Sequence, residues 1–148
     1  AMARFATGVT VITTAEPEGS VHGMTANAFT SVALEPPLVL VCVAHKRNTY
    51  PLVRSNGRFG VSILSESQRS IAEYFARDPK DRKDDVPVSY QFNQAGVARI
   101  AGSLAFLDCR VVGSHQYGDH TIFIGQVEEV HVSEGRPLLF FNGRFHGL

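Results

Sequence analysis

The stretch "QYGDHTIFIGQVEEVHV" (Gln116–Val132) puts an Asp-His pair, Asp119 and His120, at the head of an otherwise regular strand pattern. A histidine there is either a turn residue or a titratable group at the mouth of a site. A second stretch, "HGMTANAFTSVALEPPLVLVCV" (His22–Val43), collects Thr25, Ala26, Asn27, Thr30 and Ser31 where a strand gives way to a loop. Small side chains let backbone approach a flat ligand, and amides and hydroxyls supply directed hydrogen bonds. The same residues would also serve a plain loop. Just beyond, Lys46 and Arg47 precede a helix expected to start at Asn48, an arrangement suited to an anion. The competing reading is a solvated basic pair.

Several familiar chemistries lack their motifs. No G-x-G-x-x-G or G-x-x-x-x-G-K-[ST] is present, so a dinucleotide would bind without a Rossmann phosphate turn. The histidines (His22, His45, His115, His120, His131, His146) join in no H-E-x-x-H or C-x-x-C pattern, and no metal site is expected. No G-x-S-x-G elbow seats a serine nucleophile. Cys42 and Cys109 each sit in an apolar run and read as buried thiols.

These residues need a scaffold, and 148 residues with 44% apolar content suffice for a single domain over 1–148. Fourteen basic and fourteen acidic residues balance, which argues against a nucleic-acid partner. No apolar run reaches the ~18–20 residues of a membrane span. "AMARFATG" is not a charged leader followed by an apolar block, so a cytoplasmic location is expected. Strand-like runs dominate: Gly8–Ala15, Pro37–Ala44, Phe59–Leu64, Leu104–Ser114, Thr121–Val132 and Pro137–Phe141. In the longest, Ile122, Ile124, Gln126 and Glu128 share one face, and Phe123, Gly125, Val127 and Glu129 the other. "EPEGS" (Glu16–Ser20) and "SEGRP" (Ser133–Pro137) read as hairpin turns of an antiparallel barrel or sandwich. Helices are expected over Asn48–Asn56, with Asn48 as cap, and Ser65–Asp78. The mixed-charge run Arg77–Pro87 reads as a solvated, mobile loop, a possible lid.

Five segments in register, "FATGVTVITT", "GMTANAFTSV", "PPLVLVCV", "FGVSIL" and "GDHTIFIGQVEEV", resemble the flavin reductase-like, split-barrel FMN-binding family over roughly Phe5 to Phe145. The branch most similar is the short-chain NAD(P)H:flavin oxidoreductases, the reductase components of two-component monooxygenases. The resemblance implies a mainly β fold, an antiparallel Greek-key split β-barrel with a few short helices, working as a homodimer. It implies FMN or FAD as cofactor, NADH or NADPH as electron donor, and a flavin-dependent monooxygenase as partner. Met24, Thr25, Ala26 and Asn27 match the loop along the isoalloxazine ring, and Ser31 adds a hydroxyl. Cys42 and Val43 match a strand lining the flavin. Lys46, Asn48 and Thr49 fall in the segment near ribityl and phosphate. His120 matches the residue beside flavin and nicotinamide, the expected catalytic residue, while Asp119 either fixes its ring or stabilises the turn, the turn being favoured. Phe145 matches an aromatic covering the nicotinamide side. Two features depart from the family: Ala33 replaces a hydroxyl residue, and Arg47-Asn48 replaces a serine-rich segment. The fold leaves two alternatives: a flavin- or haem-binding module without turnover, and a reductase whose bound flavin serves another acceptor, such as a corrinoid or quinone.

Overall fold

Long β-branched runs with turn residues between them dictate a strand-rich chain, and the computed structural model, which describes residues 1–148, is one. In order it forms β1 (Thr7–Gly8), β2 (Thr10–Ala15), β3 (Val21–Ala26), β4 (Phe29–Ala33), β5 (Leu38–Ala44), α1 (Thr49–Asn56) and β6 (Arg58–Ile63). Then follow α2 (Arg69–Ala76), β7 (Tyr90–Phe92), β8 (Ala98–Ile100), β9 (Ala105–Tyr117), β10 (His120–Val132), β11 (Leu139–Phe141) and β12 (Arg144–His146). Seven strands form one antiparallel sheet in the order β3-β2-β6-β9-β10-β5-β4.

That order forces curvature. β3 and β4 lie at opposite ends of the sheet, yet only Asn27 and Ala28 join them. The three Cα–Cα steps from Ala26 to Phe29 span about 11 Å at most, so the sheet must curl until its ends meet. The result is a barrel closed at that seam by a connection rather than by a full ladder: a split β-barrel.

Inside it pack Ile12, Val41, Val43, Val61, Phe59 and Phe123. A second cluster, including Val11, Leu64, Ala72, Phe75 and Leu138, seats α2 against the outside of β2 and β3. Gly23 permits that seat: a Cβ there would lie 2.7 Å from the Phe75 ring. The Thr25 hydroxyl adds a 2.6 Å hydrogen bond to the Ala72 carbonyl.

Several expectations need correction. Phe29–Ala33, read as loop, is the edge strand β4, and β7, β8 and β12 are further short strands. "EPEGS" does turn β2 into β3, but "SEGRP" is no hairpin. β10 already pairs on both edges with β9 and β5, so β11 pairs instead with β1 and β12. The two-face alternation of β10 ends at a bulge between Val127 and Glu129. The extra residue bends the strand and turns both carboxylates outward. Glu128 there meets Arg58 and Arg110, and Glu129 accepts from Asn93.

Candidate functional site

An open groove of about 790 Å³ runs along the seam. Met24, Thr25, Ala26, Asn27 and Ala28 form one wall, and Cys42, Ala44, Lys46, Arg47, Asp119 and His120 the other. Strand parity explains the second wall. His120 pairs with Ala44 and Ile122 with Cys42, and paired residues in an antiparallel ladder project to the same face. Cys42, Ala44 and His120 therefore share the groove face. The intervening Val43, opposite Thr121, must point into the barrel, and it is fully buried there. Alanines at 26, 28 and 44 keep the surface low enough for a flat ring to lie against backbone.

His120 is placed by a tight hairpin. Gly118 adopts φ +60° at the first central position of the two-residue turn between β9 and β10, a conformation that favours glycine. The Asp119 carbonyl accepts the His45 N–H at 2.9 Å, and His45 Nε2 lies 2.8 Å from Thr121 Oγ1. The Asp119 carboxylate does not cap the turn as expected: its Oδ1 sits 2.7 Å from His120 Nδ1. That hydrogen bond holds the Asp119 carboxyl below its ordinary range. An ionised carboxylate only accepts, so Nδ1 carries the hydrogen, and Nε2 is left for whatever lies in the groove.

At Met24, Lys46 and Arg47 the groove continues into a smaller pocket of about 250 Å³, completed by His22, Asn48, Thr49, Asp78, Pro79 and Arg82. Three cationic side chains converge here. The N–H groups of Asn48 and Thr49, at the start of α1, have no acceptor in the protein. Asn48 makes no side-chain cap bond, so these donors stay open toward the pocket. Arg82 corrects the reading of Arg77–Pro87 as solvated loop. Half-buried, its guanidinium donates to the carbonyls of Phe75 and Arg77 at the end of α2 and lies over the Phe75 ring at 5.2 Å. Below the pocket His22 is buried, bridging Glu16 and Thr49.

Of the residues singled out in the sequence, Met24, Thr25, Ala26, Asn27, Cys42, Lys46 and His120 line the groove, and Asn48 and Thr49 the adjoining pocket. Three do not gather there. Val43 belongs to the core, and Ser31 is exposed on β4 opposite Val39. Phe145 packs on Phe140, beside a separate depression lined by Glu66 and Leu138. Sequence reasoning missed Ala28, Ala44, His22 and Arg82. Ala44 and His22 were reachable by period two from Cys42 and Met24. Arg82 was not, because only the return of its loop onto α2 brings it in.

Donor chemistry fits a flavin: a flat-walled groove for an aromatic ring and a cationic, amide-lined pocket for phosphate. The geometry is that of a split-barrel domain whose groove and adjoining pocket suit a planar, anion-bearing ligand. Residues 2–148 match the model of the flavin reductase like domain. A NADH-dependent flavin reductase of a Rhodococcus species is 45% identical over 150 residues, spanning 100% of this chain and 83% of the relative. The reductase component of 4-hydroxyphenylacetate 3-monooxygenase from Thermus thermophilus is 40% identical, covering 100% of this chain and 93% of the relative. The structure of a Streptomyces globisporus NADH:FAD oxidoreductase, in complex with NAD and FAD fragments, superposes with a TM-score of 0.89 at 37% identity. That match covers 98% of this chain and 87% of that one. The chain belongs to the flavin reductase-like family.

Proposed function

We propose that the protein is an NAD(P)H:flavin oxidoreductase that reduces FMN or FAD and passes the reduced flavin to a partner monooxygenase. The observation that carries this reading is continuity: the small-residue groove ends at His120 on one side and opens into the Lys46–Arg47–Arg82 pocket on the other. Bound flavin supplies the hydride acceptor, and the reduced nicotinamide supplies the hydride. The chain's own work is alignment, since stacked rings at close range need little further catalysis. Met24–Ala28, Cys42 and Ala44 support the ring, while Lys46, Arg47 and the amides of Asn48 and Thr49 hold phosphate. His120, fixed through Nδ1 by Asp119, offers Nε2 to the nicotinamide or to the flavin edge.

The groove is open, and the reading includes a second copy of the chain to cover it. In support, β4 is a terminal strand with an unpaired edge, and its Val32 and the following Leu34 are 47% and 87% exposed. No helix is long and apolar enough to cross a membrane. The two cysteines are unbridged, which suits the reducing cytoplasm.

The test is anaerobic: purified protein, FMN or FAD, and excess NADH or NADPH, followed at the oxidised-flavin absorbance band. Bleaching of many flavin equivalents per protein is expected. Bound flavin that neither nucleotide bleaches would overturn the assignment.

A further inference from the structure

Beneath the cationic pocket lies a buried line of carboxylate, imidazole and hydroxyl. His22 is 4% exposed, with Nδ1 3.1 Å from Glu16 Oε1 and Nε2 2.8 Å from Thr49 Oγ1. Thr49, 1% exposed, is the first residue of α1 and lines the pocket. Both ring nitrogens are therefore committed, and the proton inventory of the line has only two settings.

Glu16 as a carboxylate accepts only, so His22 Nδ1 carries a hydrogen. With the ring neutral, Nε2 is an acceptor and takes the Thr49 hydroxyl hydrogen. Thr49 then shows only lone pairs to the pocket, an unfavourable face for an anion. With the ring protonated, Nε2–H donates to Thr49, and the hydroxyl hydrogen is free to donate outward to a phosphate oxygen. Thr49 thus turns from acceptor to donor when His22 gains a proton.

The charges around the ring reinforce this coupling. Glu16, from the β2–β3 turn, favours the proton. Arg47, ahead of α1, and Arg82, behind α2, oppose it, while Lys46 and Asp78 complete the pocket's charged lining. Burial sets the balance in the free protein, pushing the His22 imidazole below its ordinary value. A phosphate held by Arg47 and Arg82 would offset their opposition and leave the pull of Glu16.

We propose that His22 is a positioning residue for the flavin phosphate, and that phosphate binding is coupled to uptake of one proton by His22, relayed through the Thr49 hydroxyl. This rests on reading the pocket as the phosphate site. The proton goes from solvent to His22 Nε2; no covalent bond to the ligand forms or breaks.

The experiment measures the dissociation constants of FMN and riboflavin, which differ by the phosphate, by flavin-fluorescence titration between about pH 5.5 and about pH 8.5. FMN affinity should rise as pH falls, by up to about tenfold per unit for one proton, and riboflavin affinity should stay flat. His22→Gln keeps an amide in place of the imidazole but cannot titrate, so it should remove the slope. The phosphate's own titration is common to both proteins and cancels in their difference. Thr49→Val should weaken FMN at low pH and lose most of the slope, and Thr49→Ser should restore it; this pair also decides the matter if His22→Gln does not fold. Equal FMN slopes in wild type and His22→Gln, or in Thr49→Val and Thr49→Ser, would overturn the relay. An equal slope for riboflavin would overturn it too, placing the effect on the barrel rather than on phosphate. FMN binding no tighter than riboflavin at any pH would instead remove the phosphate pocket on which the relay stands.

Discussion

Replacing Gly23 by alanine tests the link between strand, helix and pocket. The added Cβ would sit 2.7 Å from Phe75 Cε1 and 2.8 Å from Cδ1, well inside carbon contact distance. Phe75 is 3% exposed and belongs to the cluster with Val9, Val11 and Leu138, so its ring has little room to move. At an uncrowded strand position, Gly→Ala would stabilise by about 0.5–1 kcal/mol. Overpacking a closed core instead costs roughly 1–3 kcal/mol, so the sign of the change reports the crowding. For a domain of this size each kcal/mol moves Tm by about 3–4 °C, giving an expected fall of roughly 3–12 °C in a thermal melt. Phe75→Leu removes the clashing ring edge, at about 1–2 kcal/mol of its own. In a double-mutant cycle the pair should be more stable than the sum of the singles by about 1 kcal/mol or more. Arg82 lies over the Phe75 ring, so Gly23→Ala should also weaken FMN more than riboflavin. Unchanged or raised stability, or strict additivity with Phe75→Leu, would refute the reasoning.

Four further outcomes are expected. His120→Ala should lower the rate of flavin reduction at saturating NADH by roughly 10- to 100-fold with little loss of flavin affinity, because it removes an aligned hydrogen-bonding group from the groove wall; stopped-flow bleaching separates the two effects. Arg47→Ala should weaken FMN by roughly 10- to 100-fold, the worth of a charge-assisted hydrogen bond, while leaving riboflavin within about twofold; fluorescence titration checks it, and added salt should narrow the gap. Burial pushes the Cys109 thiol up to about 12, so an alkylating reagent near neutral pH should label Cys109 only after unfolding, as peptide mass mapping would reveal. The buried His22 ring titrates below its ordinary 6.5, so folding favours the neutral form: this contribution is complete above pH 6.5 and is lost as pH falls through the lowered value. Urea midpoints of the flavin-free protein should accordingly fall on acidification, and less steeply in His22→Gln.

Local patterns made the strand content legible. β-branched runs marked β2, β5, β6, β9 and β10, and Gly118 marked the turn that presents His120. The short strands were not legible. β4 is rich in small and hydroxylated residues because it is an edge half-open to solvent, and β12 exists only because β11 is there to pair with it. The groove was half legible for a related reason. The type of residue at Met24–Asn27, Cys42, Lys46 and His120 announced its chemistry, but a resemblance spanning Val41–Val43 takes in whole segments. Only alternation separates Cys42 in the groove from Val43 in the core.

By itself, the sequence determined a mainly β fold, the turn that carries Asp119 and His120, and the basic pair ahead of α1. Each depends on residues a few positions apart, whose preferences act over one turn or one strand. Tertiary structure alone decided that the ends of the sheet meet at Asn27-Ala28, that Asp119 serves the His120 ring, and that Arg82 returns from a charged loop to Arg47. It likewise set His22 between Glu16 and Thr49, 27 residues apart along the chain from Thr49 but within one hydrogen bond of it. Such contacts are fixed by the closure of the barrel and the seating of α2 on Gly23, which depend on the whole packing rather than on any local run.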